Sequence, residues 1–317
     1  MKVDVTVTTV SPMDKAGFFS FGTVNDYIST AARYAKRLIV EVNSHMPRVF
    51  GDSLLHVSEV DAIVENDLQL IEVVPAEPKP EAEAIGHLMA EMVPDGATIQ
   101  LGIGGIPNAV CMHLESHKDL GVHTELFCPG MMYLIKKGVI TGRSKNLHPR
   151  KHIFTNALGD RAMYEFMHDN PSMESYPVSY TNDPHVIAQN DHMISINSTI
   201  EVDILGQCNS EYLGGFEFSG TGGQLDYVRG AFKSRGGKSS IAFYSTAHGE
   251  ISRVVPRFKP GTVVTTPRMD THFLVTEYGA VNLKGKSTRE RALDIISIAH
   301  PSFRDGLLKE AENMRLL

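Results

Sequence analysis

Val3 to Val10 reads VDVTVTTV, an alternation of apolar and polar side chains that sends successive residues to opposite faces of a strand. SPMDKAG then turns the chain, Tyr27 to Leu38 carries apolar residues at helical spacing, and LIVEVN reads as a buried strand. A strand, a helix and a second strand in that order form a βαβ unit, and such units build parallel sheets. The succession returns further on. EAIGHLMAEMV reads as an amphipathic helix, DGATIQLGIGGIPNAV as turn, strand, glycine-rich loop and helix start, and LGVHTELFCPGMMYLIKKGVI as strand, turn and helix. Pro107 falls in a first helical turn, where a proline is tolerated.

From Lys151 onward strands are expected to dominate, in HIFTNALG, HMISINSTIEVDILGQ, SSIAFYST, ISRVVPRF, TVVTTP and THFLVTEYGAVNL. Two helices close the chain, and Ser287 with Glu290 fits a capping box at the start of the first. The expected class is α/β, with two open-sheet domains. VVPAEPKPEAE, Val73 to Glu83, is the best linker candidate, which sets the domains at residues 1–75 and 76–317. The first strand has no helix before it, although a parallel strand usually has neighbours on both sides.

The 317 residues are 42% hydrophobic, enough for a sizeable core. The net charge of −7 gives no electrostatic case for nucleic acid or an anionic membrane, yet leaves room for an anion held by a few local cations or a helix N-terminus. No stretch approaches a membrane span or a signal peptide. Cys111, Cys128 and Cys208 are widely spaced and odd in number, which points to a reducing compartment, the cytoplasm, and to no zinc site. Cys128 reads as a small buried residue rather than a reactive thiol. None of the fourteen histidines shows metal-ligand spacing.

Four stretches could carry chemistry. In QLGIGGIPNAV, Gln100 to Val110, glycines between a strand and a helix would let backbone N–H groups approach an anion; a plain tight turn is the alternative. In GVHTELFCPG, Glu125 stands beside an apolar pair at a strand end, where a carboxylate could attack a carbonyl to give an anhydride; a surface or salt-bridged Glu is the alternative. His123 reads as its polar neighbour rather than as a base. FSGTGGQLDYVRGA, Phe218 to Ala231, is a second glycine turn that could form an oxyanion hole. VTEYGAVNLKGKSTRERA, Val275 to Ala292, gathers Glu277, Lys284, Lys286, Arg289 and Arg291, and reads as a solvated face. Glu201 and Asp203 read as surface residues opposite Ile200 and Val202.

Together these stretches resemble the acetyl-CoA hydrolase/transferase group of class I CoA-transferases, in its 4-hydroxybutyrate and butyryl-CoA:acetate branch. The likeness runs from VSPMDKAGFFSFG through EVNSHMPRVFGDSLLHVSEVD, GIGGIPNAV, LGVHTELF, YPVSYTNDPHVIAQND, SINSTIEVDILGQ, FSGTGGQLDYVRGA, GGKSSIAFYSTA and TEYGAVNLKGKSTRERA to IAHPSFRD. The resemblance implies two related open-sheet CoA-transferase domains, the first N-terminally truncated, because family members carry roughly a hundred residues more, a domain-sized addition, before the opening strand. Such a loss would expose apolar surface.

It also implies roles. Glu125 falls on the family's nucleophile, Gly220 on the loop that donates N–H groups to the acyl oxygen, and Asn182 on an active-site amide. Gln100, Leu101, Gly102, Ile103, Gly104, Ile200 and Gly223 fall on CoA contacts, and Glu277 is a looser candidate. Where members carry a CoA-contacting lysine after STA, this chain has His248 and Glu250. The implied substrates are coenzyme A, with no permanently bound cofactor, and small carboxylic acids. The implied activity is ping-pong transfer through a glutamyl-CoA thioester, with acyl-CoA hydrolysis or a non-catalytic CoA-binding subunit as alternatives. The implied assembly is a homodimer or higher homo-oligomer. Met131 and Met132 beside the nucleophile suggest a short acyl chain.

Overall fold

A computed structural model describes residues 2–73, 78–102 and 104–317. It divides into two compact units, residues 1–75, 95–100 and 117–190, and residues 76–94, 101–116 and 191–317. The expected linker falls partly on residues 74–77, outside the described set, and its second half is already the Pro80–Ala90 helix. Pro80 takes the first helical position, where the absent N–H has no carbonyl to miss.

In the first unit Val3–Val10 pairs in parallel with Ala35–Val42, and that strand with Ala62–Glu65. The helix expected to Leu38 stops at Tyr34, and Ala35 turns extended with ψ 147°. The reason is tertiary. The alternation in AKRLIVEV places Leu38 and Val40 in a core with Val10, Phe19, Phe21 and Leu55, and the Val3–Val10 strand supplies the hydrogen bonds that a longer helix would have made internally. The opposite face carries Val5, Val7 and Val64, which are 53%, 63% and 53% exposed.

A second sheet of this unit is built from short parallel strands. His152–Phe154 lies between Gly121–His123 and Met173–Ser175. Met173–Ser175 also pairs with Phe50–Gly51, and Thr98 and Ile99 align with Gly121 and Val122. All of these strands run the same way, so their carboxyl ends share one edge.

In the second unit Met193–Ser198, Lys238–Ala242 and Phe273–Thr276 are parallel, and Gly279–Asn282 folds back antiparallel on the last. The helices Thr288–Ser297 and Pro301–Asn313 cover a core that includes Ile241, Phe243, Leu274 and Ile295. Ser287 and Glu290 form the expected capping box.

Several expectations fail for identifiable reasons. HMISINSTIEVDILGQ breaks after Ser198, and Glu201–Asp203 joins a separate small sheet between Cys208–Asn209 and Val254–Val255. TVVTTP forms no strand; only Thr266 makes a bridge, to Cys208. Asp203 is buried rather than superficial, because its carboxylate accepts from the Leu205 and Gln207 N–H groups and from the Gln207 amide. Arg291 is not part of a solvated face. Its guanidinium donates to the carbonyls of Leu205, Leu283 and Arg268 and ties three loops together.

Candidate functional site

The Gly121–His123 strand ends in a buried Thr124 and a half-buried Glu125. The Glu125 carbonyl accepts from the N–H groups of Thr155 (3.2 Å) and Asn156 (2.9 Å), and Leu126–Phe127 pairs with Asn156–Ala157 immediately afterwards. These backbone bonds hold the main chain of residue 125 at the carboxyl end of parallel strands, where open α/β proteins hold their ligands.

His123 is fully buried, and its Nε2 lies 2.9 Å from the Thr181 carbonyl. A carbonyl only accepts, so Nε2 carries the proton. Burial pushes the ring down to about 3, so it is neutral at physiological pH. Its bond reaches the last residue of the short Val178–Thr181 helix, next to Asn182. The same ring thus props the strand that precedes Glu125 and the turn that presents Asn182. The Asn182 side chain is 6% exposed, and its Oδ1 is buried without a hydrogen-bond partner among the described residues.

Lys145 lies beneath the same strand. It is 4% exposed, and its Nζ donates to the carbonyls of Val122 (2.8 Å) and Lys151 (3.0 Å). Burial pushes it down to about 7, with Glu174 opposing through space. An unfolded chain keeps that proton to about 10.4, so between pH 7 and that value the unfolded state binds more protons and stability rises with pH. The stability of the wild-type protein is expected to climb from pH 7 to pH 9.5, and Lys145→Met to lack that climb. Urea midpoints at the two pH values measure it; equal slopes in both proteins would refute the assignment.

The remaining candidates lie in the second unit. Leu101 is buried at the end of the Thr98–Leu101 strand, as is Gln100 of the first unit before it. Gly102 donates to the Ile196 carbonyl at 3.0 Å, and Ile103 lies outside the described residues. Gly104 precedes the Gly105–His113 helix with φ 115° and ψ −174°, a conformation open essentially to glycine alone. Ile200 is half-buried at the bend between two strands, where its N–H meets the Asn209 carbonyl. Gly220 is exposed and Gly223 is buried at the start of the Gln224–Lys233 helix. Gln224 pins this turn by donating to the hydroxyls of Ser210 and Thr266. His248 sits exposed in the tight connection between Thr246–Ala247 and Ile251–Ser252.

Two adjoining clefts of the second unit share Tyr244 and Arg253. One of about 290 Å³ is lined by Lys79, Glu81, His248 and Glu277 besides these two. The other, about 190 Å³, lies against Gly104 to Pro107 and Ser198. Glu277, flagged from the sequence, is held by the Ser245 N–H and hydroxyl. Tyr244 lies within GGKSSIAFYSTA but was given no role from sequence, and Arg253 was not singled out until the fold placed both here. Among the described residues no cluster of three metal-type ligands occurs, and no helix is long and apolar enough to cross a membrane.

Comparison with known proteins places the chain in a family. The acetyl-CoA hydrolase/transferase N-terminal domain matches residues 1–75, and the C-terminal domain of the same family matches residues 159–311. The chain belongs to the acetyl-CoA hydrolase/transferase family. It is 48% identical over 311 residues to the 4-hydroxybutyrate coenzyme A transferase of Clostridium kluyveri, covering 98% of this chain and 72% of that protein. Its structure is similar to that of RipA from Yersinia pestis, with a TM-score of 0.95 and 52% identity over 99% of this chain and 71% of the other. It is also similar to that of 4-hydroxybutyrate CoA-transferase from Porphyromonas gingivalis, with a TM-score of 0.89 and 42% identity over 99% and 76%.

Proposed function

We propose that this CoA-transferase passes coenzyme A between a short-chain acyl-CoA and a small carboxylate such as acetate, butyrate or 4-hydroxybutyrate, with Glu125 as nucleophile. The supporting observation is a half-buried glutamate whose main chain is held by backbone bonds at the carboxyl end of parallel strands. The Glu125 carboxylate attacks the thioester carbonyl, the CoA thiolate leaves, and a glutamyl–acyl anhydride forms. The thiolate returns to the glutamyl carbonyl and the first acid departs as its carboxylate, leaving a glutamyl-CoA thioester. A second carboxylate reverses both steps. One thioester replaces another, so the exchange needs no external energy source.

The N–H of Gly220 and the amide of Asn182 are assigned to the oxyanions, a role worth roughly 2.7–4 kcal/mol per donor. CoA is assigned to Gln100 to Gly104, Ile200, Gly223 and His248. Binding energy from the distant part of CoA is available to drive the strained steps at the carboxylate.

The test traps the thioester. Protein incubated with acyl-CoA and then reduced with borohydride is digested and analysed by mass spectrometry. The Glu125 peptide is expected to carry the reduced glutamyl side chain, and acyl-CoA consumption to require an acceptor acid. An unmodified peptide with acceptor-independent loss of acyl-CoA would instead identify a hydrolase.

A further inference from the structure

Arginines that are partly removed from solvent need partners, because a desolvated guanidinium without hydrogen bonds costs several kcal/mol. Among the described residues Arg48, Arg291 and Arg304 are such arginines, and each is bonded. Arg48 pairs with Asp14 and Asp169, Arg291 holds carbonyls, and Arg304 donates to Ala299. Arg253 is also half-buried, yet its side chain makes no hydrogen bond or ion pair among the described residues, and its Nε is wholly buried without an acceptor.

Its surroundings hold the main chain in place. The Arg253 backbone is held on both sides, its N–H by the Ser245 carbonyl and its carbonyl by the Val202 N–H. The guanidinium carbon lies over the Tyr244 ring, 5.9 Å from its centre, within cation–π range. Glu277 acts on it through space but spends its oxygens on Ser245. Both clefts open onto Arg253, with Lys79 and His248 on one side and the glycines that start the Gly105–His113 helix on the other. Glu81 is exposed in the first turn of its own helix.

We infer that Arg253 is a substrate-binding residue that receives an oxyanion, through the flat fork of donors that suits phosphate or carboxylate. The inference rests on the CoA-transfer reading. Two groups of the reaction offer this chemistry, a phosphate of CoA and the carboxylate of the acid, and the experiment separates them.

Transfer is measured for wild type, Arg253→Lys and Arg253→Gln, with acyl-CoA and with the corresponding acyl-pantetheine, which lacks the phosphates, while the acceptor acid is varied. A phosphate at Arg253 predicts that the glutamine variant raises KM for acyl-CoA about ten-fold or more, as expected for a lost charge-assisted bond, and leaves acyl-pantetheine unchanged. A carboxylate at Arg253 predicts that KM for the acid rises instead, with either donor. The lysine variant, which keeps the charge and loses the fork, is expected to fall between. Unchanged KM values in an active glutamine variant overturn the inference, as does an equal fall in kcat with every substrate. If Arg253→Gln does not fold, the lysine variant decides by the same criteria. A wild-type protein without transfer would defeat the parent reading, an outcome distinct from an active enzyme indifferent to Arg253.

Discussion

Replacing Glu125 by glutamine is expected to abolish CoA transfer while leaving the protein folded. Glutamine has nearly the same shape, and the carbonyl of residue 125 still receives the N–H groups of Thr155 and Asn156. The change removes the charge and turns one acceptor oxygen into an NH2 donor, and an amide is a poor nucleophile toward a thioester. Loss of a covalent nucleophile costs on the order of 10⁴-fold or more in kcat. Released CoA thiol reports the reaction cleanly, since Cys111, Cys128 and Cys208 are all buried and contribute little background. The expected result is residual turnover near the uncatalysed rate, an unfolding midpoint close to wild type, and continued CoA binding, whose assigned residues are untouched. A glutamine variant that retains a tenth of wild-type turnover would exclude Glu125 as the group carrying the acyl and CoA moieties.

What the sequence shows about this site depends on how local each signal is. The Val3–Val10 alternation, the Ser287–Glu290 capping box and the two glycine turns are written in neighbouring residues, and each appears where it is expected. The helix that ends at Tyr34 is different. YISTAARYAKRL has helical spacing throughout, and only the partner strand shows that Ala35 onward is extended. TVVTTP has the composition of a strand, but its residues find a single bridge at Thr266. Asp203 and Arg291 look like surface charges in sequence, because the N–H groups and carbonyls that hold them belong to turns formed elsewhere. Arg253 lies beyond sequence reading for the opposite reason: its distinction is a missing partner, which only coordinates reveal. The proposal for Glu125 comes from resemblance and the apolar company of its neighbours, while the backbone bonds at its carbonyl are not readable from sequence.

Lowering the pH is expected to destabilise the fold well before its ion-paired carboxylates are titrated. Burial first of all pushes His123 down to about 3 and His152 and His272 to about 4. Lys145 adds to the effect on the first two, and Lys284 and Lys238 to that on the third. The bonding agrees with neutral rings. His123 donates through Nε2, the Nδ1 of His272 accepts from the Ser239 N–H, and the Nδ1 of His152 is buried with no partner among the described residues. In the unfolded chain each ring titrates near 6.5. Between that value and the folded ones the unfolded state binds more protons, so the stability these rings confer is complete above 6.5 and is lost as the pH falls toward 4. Each ring contributes a slope of about 1.4 kcal/mol per pH unit, so three together reach several kcal/mol by pH 5. Urea midpoints at pH 7.5, 6 and 5 are expected to fall progressively. The slope below 6.5 is expected to be shallower in His152→Asn by one proton's share, because asparagine has no charge to gain on unfolding. A flat profile from 7.5 to 5 in the wild type would mean that these rings take up protons in the folded protein as readily as in the unfolded chain, and the picture of a neutral histidine propping the Glu125 strand would fail with it.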